Sequence, residues 1–337
     1  MNKSKQVTLT QILSFRSFVF AIILAILVYL LIMILSDWED LIRQIFNINP
    51  VIVILAALLS LGNYFCRFFK WLLFTRSLEL DIPLIENFLI FFAGLCLSIT
   101  PAKVGEAIRA FFLQKTSSVD LSKGLASTFS ERLIDLLAVT ILALIGILSL
   151  GLRQSNDFLP LLIIIFVTII FGVLIFLIDP LYNFFSWFFH LEPWSGVGKK
   201  IDKFRSDVVI TLHYNVFLGA LLLGILGWAC EGIGFFLLAQ SLRIPITFET
   251  SILIYATSSL LGAISFLPGG LGVMEGSMEL LLVNFLAINS STAGALVILV
   301  RLTTLWFGVS LGLIFLLLIT KRLGKIQSKE ETSPKGY

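Results

Sequence analysis

The chain has 337 residues, 58% of them hydrophobic and only 13% charged, with a formal net charge of +3. A water-soluble domain of this length needs far more polar surface, so the composition points to a polytopic membrane protein. The small basic excess sits mainly at the ends and in a few loops, a pattern of membrane topology that argues against a nucleic-acid partner.

Lys3, Lys5 and Arg16 precede an apolar run over residues 18–35. That run is too long for a signal-peptide core, and no small-x-small cleavage site follows, so it reads as an uncleaved first span after a cytoplasmic segment, 1–17. The loop that follows carries Asp37, Glu39 and Asp40 against Arg43. Further stretches of about 20 apolar residues, the length of a span, cover 51–74, 122–150, 158–178, 215–240 and 292–320.

Two apolar stretches are interrupted. Residues 86–100 and 104–114 flank a break with Pro101, Lys103, Gly105 and Glu106, before Arg109. Residues 250–267 and 272–287 flank a second, with Pro268, Gly269, Gly270, Gly272 and Glu275. At 1.5 Å per residue the halves of the first reach only about 22 and 16 Å, short of a hydrocarbon core of about 30 Å. A re-entrant helical hairpin is the simpler reading; the halves of the second approach full spans. The expected fold is all-α: six long spans plus two re-entrant broken-helix hairpins, or eight spans.

The positive-inside rule orients this plan. With the first hairpin returning to the side it left, Lys115, Lys123, the group Lys199, Lys200, Lys203 and Arg205, and the tail from 323 to 337 all fall with the N-terminus in the cytoplasm. A single bent crossing would put the four-cation loop outside. The expected location is the cell membrane with both termini cytoplasmic.

The two breaks match in order. Each has a proline and then a glycine four residues on, followed by a glutamate. A long span follows each, with Arg132 or Arg301 nine or ten residues in, and a long span precedes each, with Arg67 or Glu231 sixteen residues in. The repeats cover about 51–150 and 215–320 within a membrane domain of 18–322. Under the orientation above they are inverted, a common transporter plan. Between them, 181–212 is amphipathic. Phe184, Phe185, Phe188 and Phe189 recur at helical spacing, and Ile201, Phe204, Val208 and Leu212 form a stripe opposite the lysines. This suits either helices on an anionic lipid surface or a loop anchored by aromatics.

A charge at the centre of a membrane helix costs about 2.5–3.5 kcal/mol on insertion scales, and such residues usually pair or face a wet cavity. Arg67, Glu131, Arg132, Asp135, Glu231 and Arg301 all lie deep in apolar runs. A half-helix that starts inside the bilayer offers free N–H groups and a partial positive charge to an anion. Lys103, Arg109, Arg132 and Arg301 add full charge, and Gly105, Gly269, Gly270 and Gly272 let backbone approach a ligand. Glu106 and Glu275 lie in the first turn after each break. There a carboxylate either caps the helix or carries a proton for coupled transport; Glu279 keeps the second choice open.

Metal chemistry finds no support. Cys66, Cys96 and Cys230 are scattered in apolar runs without ligand spacing, and His190 and His213 have no ligand-like neighbours. No cofactor is implied. The pattern Gly219, Gly224, Gly227 serves helix packing within one chain or in a homo-oligomer.

The stretches "TPAKVGEAIRAFFL", "SERLIDLLAV", "FLPGGLGVMEGSM" and "VRLTTLWFGVSLG" resemble the flippase-like membrane family found as the transmembrane region of lysylphosphatidylglycerol synthase, the bacterial multiple peptide resistance factor. The resemblance covers roughly residues 10–322. It implies movement of an anionic or aminoacylated phospholipid, or of a polyprenyl-linked lipid, between leaflets. Its motifs fall on Pro101, Gly105, Glu106, Arg109, Glu131, Arg132, Asp135, Pro268, Gly269, Gly270, Gly272, Glu275 and Arg301. The synthases carry a soluble catalytic domain after the membrane part; about 17 residues follow the last span here, so lysyl transfer is not expected. Two other readings remain: a membrane glycosyl- or phosphotransferase, for which Glu131 and Asp135 are the only close carboxylate pair deep in a span, and a small-ion exchanger.

Overall fold

The computed structural model describes residues 15–100, 105–117, 119–149, 158–187 and 195–332. Pro101 and Lys103, and Phe188 and Phe189 of the linker, lie outside the described residues.

Every element is helical among the described residues. The first half contains α1 (Phe15–Leu35), α2 (Trp38–Asn47), α3 (Pro50–Ser77), α4 (Leu84–Gly94), α5 (Ile108–Ser117) and α6 (Leu121–Ser149). α7 (Phe158–Leu177), α8 (Asp179–Ser186) and α9 (Ser195–Thr211) follow. The second half contains α10 (Tyr214–Ser241), α11 (Phe248–Ile264), α12 (Val273–Leu286), α13 (Ser290–Arg301) and α14 (Phe307–Thr332).

Four of the six expected spans are long and apolar enough to cross a bilayer over the described residues: α3, α6, α10 and the nearly continuous Ser290–Arg322 formed by α13 and α14. The other two expected spans, α1 and α7, are apolar helices of 21 and 20 residues. The segment expected as an acidic loop after α1 is instead a helix, α2, bent 107° from α1. Asp37 starts it by accepting the Glu39 and Asp40 N–H groups at 3.1 and 3.3 Å, satisfying donors at the helix N-terminus. The single fully buried residue of α2, Leu41, packs on α13 beside Gly294.

Both breaks are real, but their edges fall where local backbone chemistry puts them. α4 tightens into a 3-10 turn, Leu95–Leu97, and α5 starts at Ile108 rather than 104. The Thr100 hydroxyl bridges this gap, donating to the Leu97 carbonyl and accepting the Gly105 N–H, each at 2.7 Å. α11 ends at Ile264, three residues short of the expected edge, because Phe266 adopts a left-handed φ of 55° that an α-helix cannot continue through. Pro268–Gly270 then forms one 3-10 turn. Gly270 has φ +67°, and a Cβ there would lie 3.1 Å from the Gly262 backbone, so the turn needs both the glycine conformation and its missing side chain.

The halves interlock by exchange. α3 packs along α10, while α4 packs on α14 and α11 packs on α6, so each hairpin docks on the last long helix of the other half. Small residues permit this closeness, as in membrane helix pairs generally. Gly227 and Gly234 face Cys66 and Ala56 on α3, and Gly224 faces Ala138 on α6, so the glycine pattern of α10 serves contacts within the chain. Where α4 runs into its 3-10 turn, Gly312 of α14 comes so near that a Cβ would sit 2.2 Å from the Cys96 backbone nitrogen. Gly312→Ala is therefore expected to force the two elements apart and cost about 1–3 kcal/mol, read as a lowered unfolding midpoint in detergent; an unchanged midpoint would contradict this packing.

The second half of the amphipathic linker, α9, docks on protein, whereas Phe184 and Trp187 of the first half are exposed. Val208 and Leu212 are buried in a cluster with Phe74, Ala126 and Ala220, and the Phe204 ring meets Phe129 edge-on at 5.5 Å. The stripe of Phe204, Val208 and Leu212 is thus covered by α3, α6 and α10. Lys199, Lys200 and Lys203 remain exposed on the other side, and Lys203 pairs with Asp120.

Candidate functional site

Two consecutive turns of α3 carry Arg67 and Lys70, and α6 carries Glu131, Arg132 and Asp135 on a facing stretch. Into this seam the first break delivers Glu106 and Arg109. The result is one cluster of four cations and three carboxylates, all buried except the partly exposed Arg132. Glu106 receives Arg67 and Arg132, both at 3.1 Å, and also pairs with Arg109. Glu131 receives Arg109 at 2.6 Å, Arg132 at 2.7 Å and Arg67 at 3.1 Å. Asp135 pairs with Lys70, lies 3.3 Å from Arg132, and accepts the Trp228 N–H at 3.2 Å. The Ser98 hydroxyl donates to Glu106 at 3.0 Å from the near edge of the break.

Arg109 is the anchor. Its side chain is fully buried, and its guanidinium carbon lies 5.0 and 4.8 Å from the Trp71 and Phe91 ring centroids, a cation–π arrangement. Gly94 makes room, since a Cβ there would stand 2.8 Å from the Arg109 chain.

The second break is tied down by an arginine too. Arg301 donates to the Gly269 carbonyl at 2.7 Å and forms an ion pair with Glu275 at 2.6 Å. The other Glu275 oxygen accepts the Gly272 N–H at 2.8 Å, so this carboxylate caps α12. Immediately after Arg301 the helix widens into a π turn, Leu302–Trp306, a feature that often marks functional sites. The Tyr64 hydroxyl donates to the Thr304 carbonyl at 2.5 Å, and the Trp306 N–H donates to the Tyr29 oxygen at 2.7 Å.

A cavity of about 260 Å³ separates these two constellations. Arg67, Arg132 and Asp135 reach it from the first half, and Glu231, Gly269, Gly270 and Arg301 from the second. Leu136, Val139, Leu260 and Leu267 give it apolar wall. The Asn63 side-chain nitrogen, on another lining residue, has no hydrogen-bond partner among the described residues. Of the residues expected at the site, Arg132, Asp135, Gly269, Gly270 and Arg301 line the cavity, with Pro268 just behind its glycines. Gly105, Glu106, Arg109, Glu131, Gly272 and Glu275 stand behind that surface and hold the breaks in place.

Sequence reasoning left out several residues here. Lys70 carries a signal, because it lies three residues from Arg67 on one helix face, much as Glu131 and Asp135, four residues apart, share a face of the other helix. Asn63, Trp228 and Tyr255 carry none; nothing in sequence separates them from ordinary packing residues. No group of three His, Cys, Asp or Glu side chains suited to a metal occurs among the described residues.

Apolar helices long enough to span a bilayer, broken-helix hairpins and a charged cavity between them define an integral membrane protein with an internal polar site. A family profile for the lysylphosphatidylglycerol synthase TM region matches residues 22–312, and the chain belongs to that family. It is 25% identical over 311 residues to a UPF0104 membrane protein of Methanothermobacter thermautotrophicus, covering 87% of this chain and 90% of the relative. A UPF0104 membrane protein of Methanocaldococcus jannaschii is 28% identical over 247 residues, 69% of this chain and 98% of the relative. One from Pyrococcus horikoshii is 24% identical over 316 residues, 85% and 93% of the two chains.

Proposed function

We propose that the protein is a lipid translocase that admits the charged head group of an anionic, aminoacylated or polyprenyl-linked lipid into this cavity and passes it between leaflets. The observation that carries the reading is the mixed wall. Three arginines from both halves share one cavity with a run of leucines and a valine, which matches an amphiphile better than a small hydrated ion. The Asn63 nitrogen, which has no hydrogen-bond partner among the described residues, supplies a further donor for a head-group oxygen. Acyl chains stay in the surrounding bilayer, so only the polar part needs shelter from hydrocarbon.

The exchange of hairpins between halves supports an inverted repeat. Each hairpin rests on a long helix of the other half, so rocking one half against the other opens the cavity to one side while closing it to the other. The orientation with both termini in the cytoplasm follows from the basic loops. No covalent bond needs to form or break in this reading.

In proteoliposomes, purified protein is expected to speed the exposure of a head-group-labelled anionic lipid to dithionite. Arg132→Ala is expected to slow it about tenfold or more, the effect of losing a charged hydrogen-bond partner worth about 1.5–3 kcal/mol. Arg301→Ala is expected to slow it too, with added loss of stability because it also frees the second break. Transfer of a sugar or phosphate to lipid without exchange would sink the proposal, as would ion flux without lipid movement.

A further inference from the structure

Of the hydroxyls on the cavity wall, four have committed their protons inside the protein. Tyr64 donates to the Thr304 carbonyl at 2.5 Å, Ser98 to Glu106 at 3.0 Å, Thr304 to the Val300 carbonyl at 2.7 Å, and Tyr255 to Glu231. All four residues line the cavity. A hydroxyl has one proton and two lone pairs, so each of these offers a ligand acceptor capacity alone. The Trp228 N–H is likewise taken, by Asp135 at 3.2 Å, which leaves its indole as apolar wall. The donors on the same wall include the guanidinium groups of Arg67, Arg132 and Arg301. They also include the Asn63 amide, which is 1% exposed and whose nitrogen has no hydrogen-bond partner among the described residues.

We propose that the cavity selects a head group with hydroxyls beside its phosphate, a sugar or other polyol joined through a phosphodiester, over one that carries an amine. The inference rests on the translocase reading and narrows it. A phosphodiester by itself only accepts hydrogen bonds, so it satisfies the arginines and leaves the four spent hydroxyls facing no donor. A polyol hydroxyl both donates and accepts, so it serves those acceptors and takes the Asn63 N–H as well. Leaving either kind of buried group unmatched is costly, which is how such a wall discriminates between head groups.

An ammonium group also donates, but it accepts nothing and so makes no use of the Asn63 amide. It also meets the wrong field. Three guanidinium groups line the cavity against two carboxylates, Asp135 and Glu231, and Asp135 is already paired with Lys70. Spacing fits a polyol phosphate as well. Asn63 and Arg67 are four residues apart on α3, so they are neighbours on one helix face, with Cβ atoms about 5–6 Å apart. One holds a ring hydroxyl while the other holds the phosphate. The Trp228 indole, Leu136 and Val139 give the C–H face of a ring an apolar surface. The volume of about 260 Å³ lies below the range of about 300–1,000 Å³ for sites of drug-sized ligands, so it suits one ring with its phosphate and not an oligosaccharide.

Two measurements on the full chain test the proposal. In proteoliposomes, exchange of a labelled anionic lipid is competed by unlabelled phosphatidylinositol, phosphatidylmethanol or phosphatidylserine, which share the same net charge. Phosphatidylinositol is expected to compete at a mole fraction about tenfold lower than the other two, the worth of roughly one hydrogen bond. Asn63→Leu and Tyr64→Phe are each expected to shrink that ratio severalfold, and Tyr64→Phe keeps the ring that stacks on Phe307. In detergent, myo-inositol 1-phosphate is expected to change the tryptophan fluorescence at a lower concentration than methyl phosphate or phosphoethanolamine, and Trp228→Phe is expected to remove most of the response. Equal competition by phosphatidylmethanol would overturn the inference, as would stronger competition by phosphatidylserine or a preference unchanged in both variants. Failure of the wild type to move any lipid would instead sink the translocase reading, and the order of the three soluble phosphates would still decide whether the cavity selects hydroxyls.

Discussion

Arg109→Met is expected to be among the most damaging single substitutions in this protein, lowering its stability by about 3–5 kcal/mol, the usual cost of removing one partner of a buried ion pair. The arginine has no exposed side-chain surface and joins two carboxylates that come from different elements, Glu106 in the first break and Glu131 on α6. Methionine keeps much of the length and the packing on Trp71 and Phe91 but supplies no donor. Glu106 keeps Arg67 and Arg132, and Glu131 keeps the same two at 3.1 and 2.7 Å, so the cluster is weakened rather than stripped. Its tie between α5 and Glu131 is nevertheless gone, which leaves the Glu106–Arg132 pair as the ionic link between the break and α6. Arg109→Lys is expected to recover only part of the loss, since a single ammonium cannot fork between two carboxylates while lying flat on two rings. Reversible unfolding in mixed micelles measures both. A loss below about 1 kcal/mol, the range of an exposed ion pair, would show that the cluster does not hold the first hairpin.

This expectation alters the meaning of charge in the apolar helices. From sequence, charges deep in a span suggest ligand contact and structural pairing about equally. The structure divides the labour by depth. Arg109, Glu106, Glu131 and Glu275 act on protein, tying each break to a long helix, while Arg67, Arg132, Asp135 and Arg301 do that and also present a face to the cavity. A hairpin interrupted by a turn loses helical hydrogen bonds in the middle of the fold, and arginine is suited to replacing them because it donates to carbonyls and carboxylates together. Arg301 does so with Gly269 and Glu275.

Much of the helix pattern was legible because membrane helices announce themselves by length. The stretches read as 51–74, 122–150 and 215–240 are α3, α6 and α10 to within a few residues. What escaped depends on backbone or long-range geometry. The end of α11 is set by the left-handed Phe266, and phenylalanine gives no sign of that conformation in sequence. α2 carries the acidic residues of a loop, and its helical nature depends on the Asp37 cap and one leucine buried against α13. The linker stripe at Phe204, Val208 and Leu212 was visible as amphipathic, but periodicity reveals only that a face is apolar, and here protein covers it. Glu131, Arg132 and Asp135 were identifiable as a charged group on one helix. Their partners across the seam required a structure, because pairing of distant segments leaves no local trace.

Asp135 and Lys70 offer the sharpest separation between holding the fold and serving the cavity. Asp135→Leu is expected to cost about 3–5 kcal/mol, because it strands a lysine whose side chain has no exposed surface and whose ion-pair partner is that aspartate. Lys70→Met is expected to cost less, about 1–3 kcal/mol, because Asp135 keeps Arg132 at 3.3 Å, Arg67 at 3.9 Å and the Trp228 N–H. The double variant is expected to be more stable than Asp135→Leu alone, since removing both members of a buried pair abolishes the uncompensated charge. A double-mutant cycle of unfolding free energies then gives a coupling of about 2 kcal/mol or more, at the upper end of the range for contacting residues. Only Asp135 reaches the cavity wall; Lys70 stands behind it. The double variant is therefore expected to regain stability without regaining lipid exchange, whereas Lys70→Met alone keeps most of the exchange. Equal penalties for the two single changes, with no recovery in the double, would mean that Lys70 answers to charges other than Asp135.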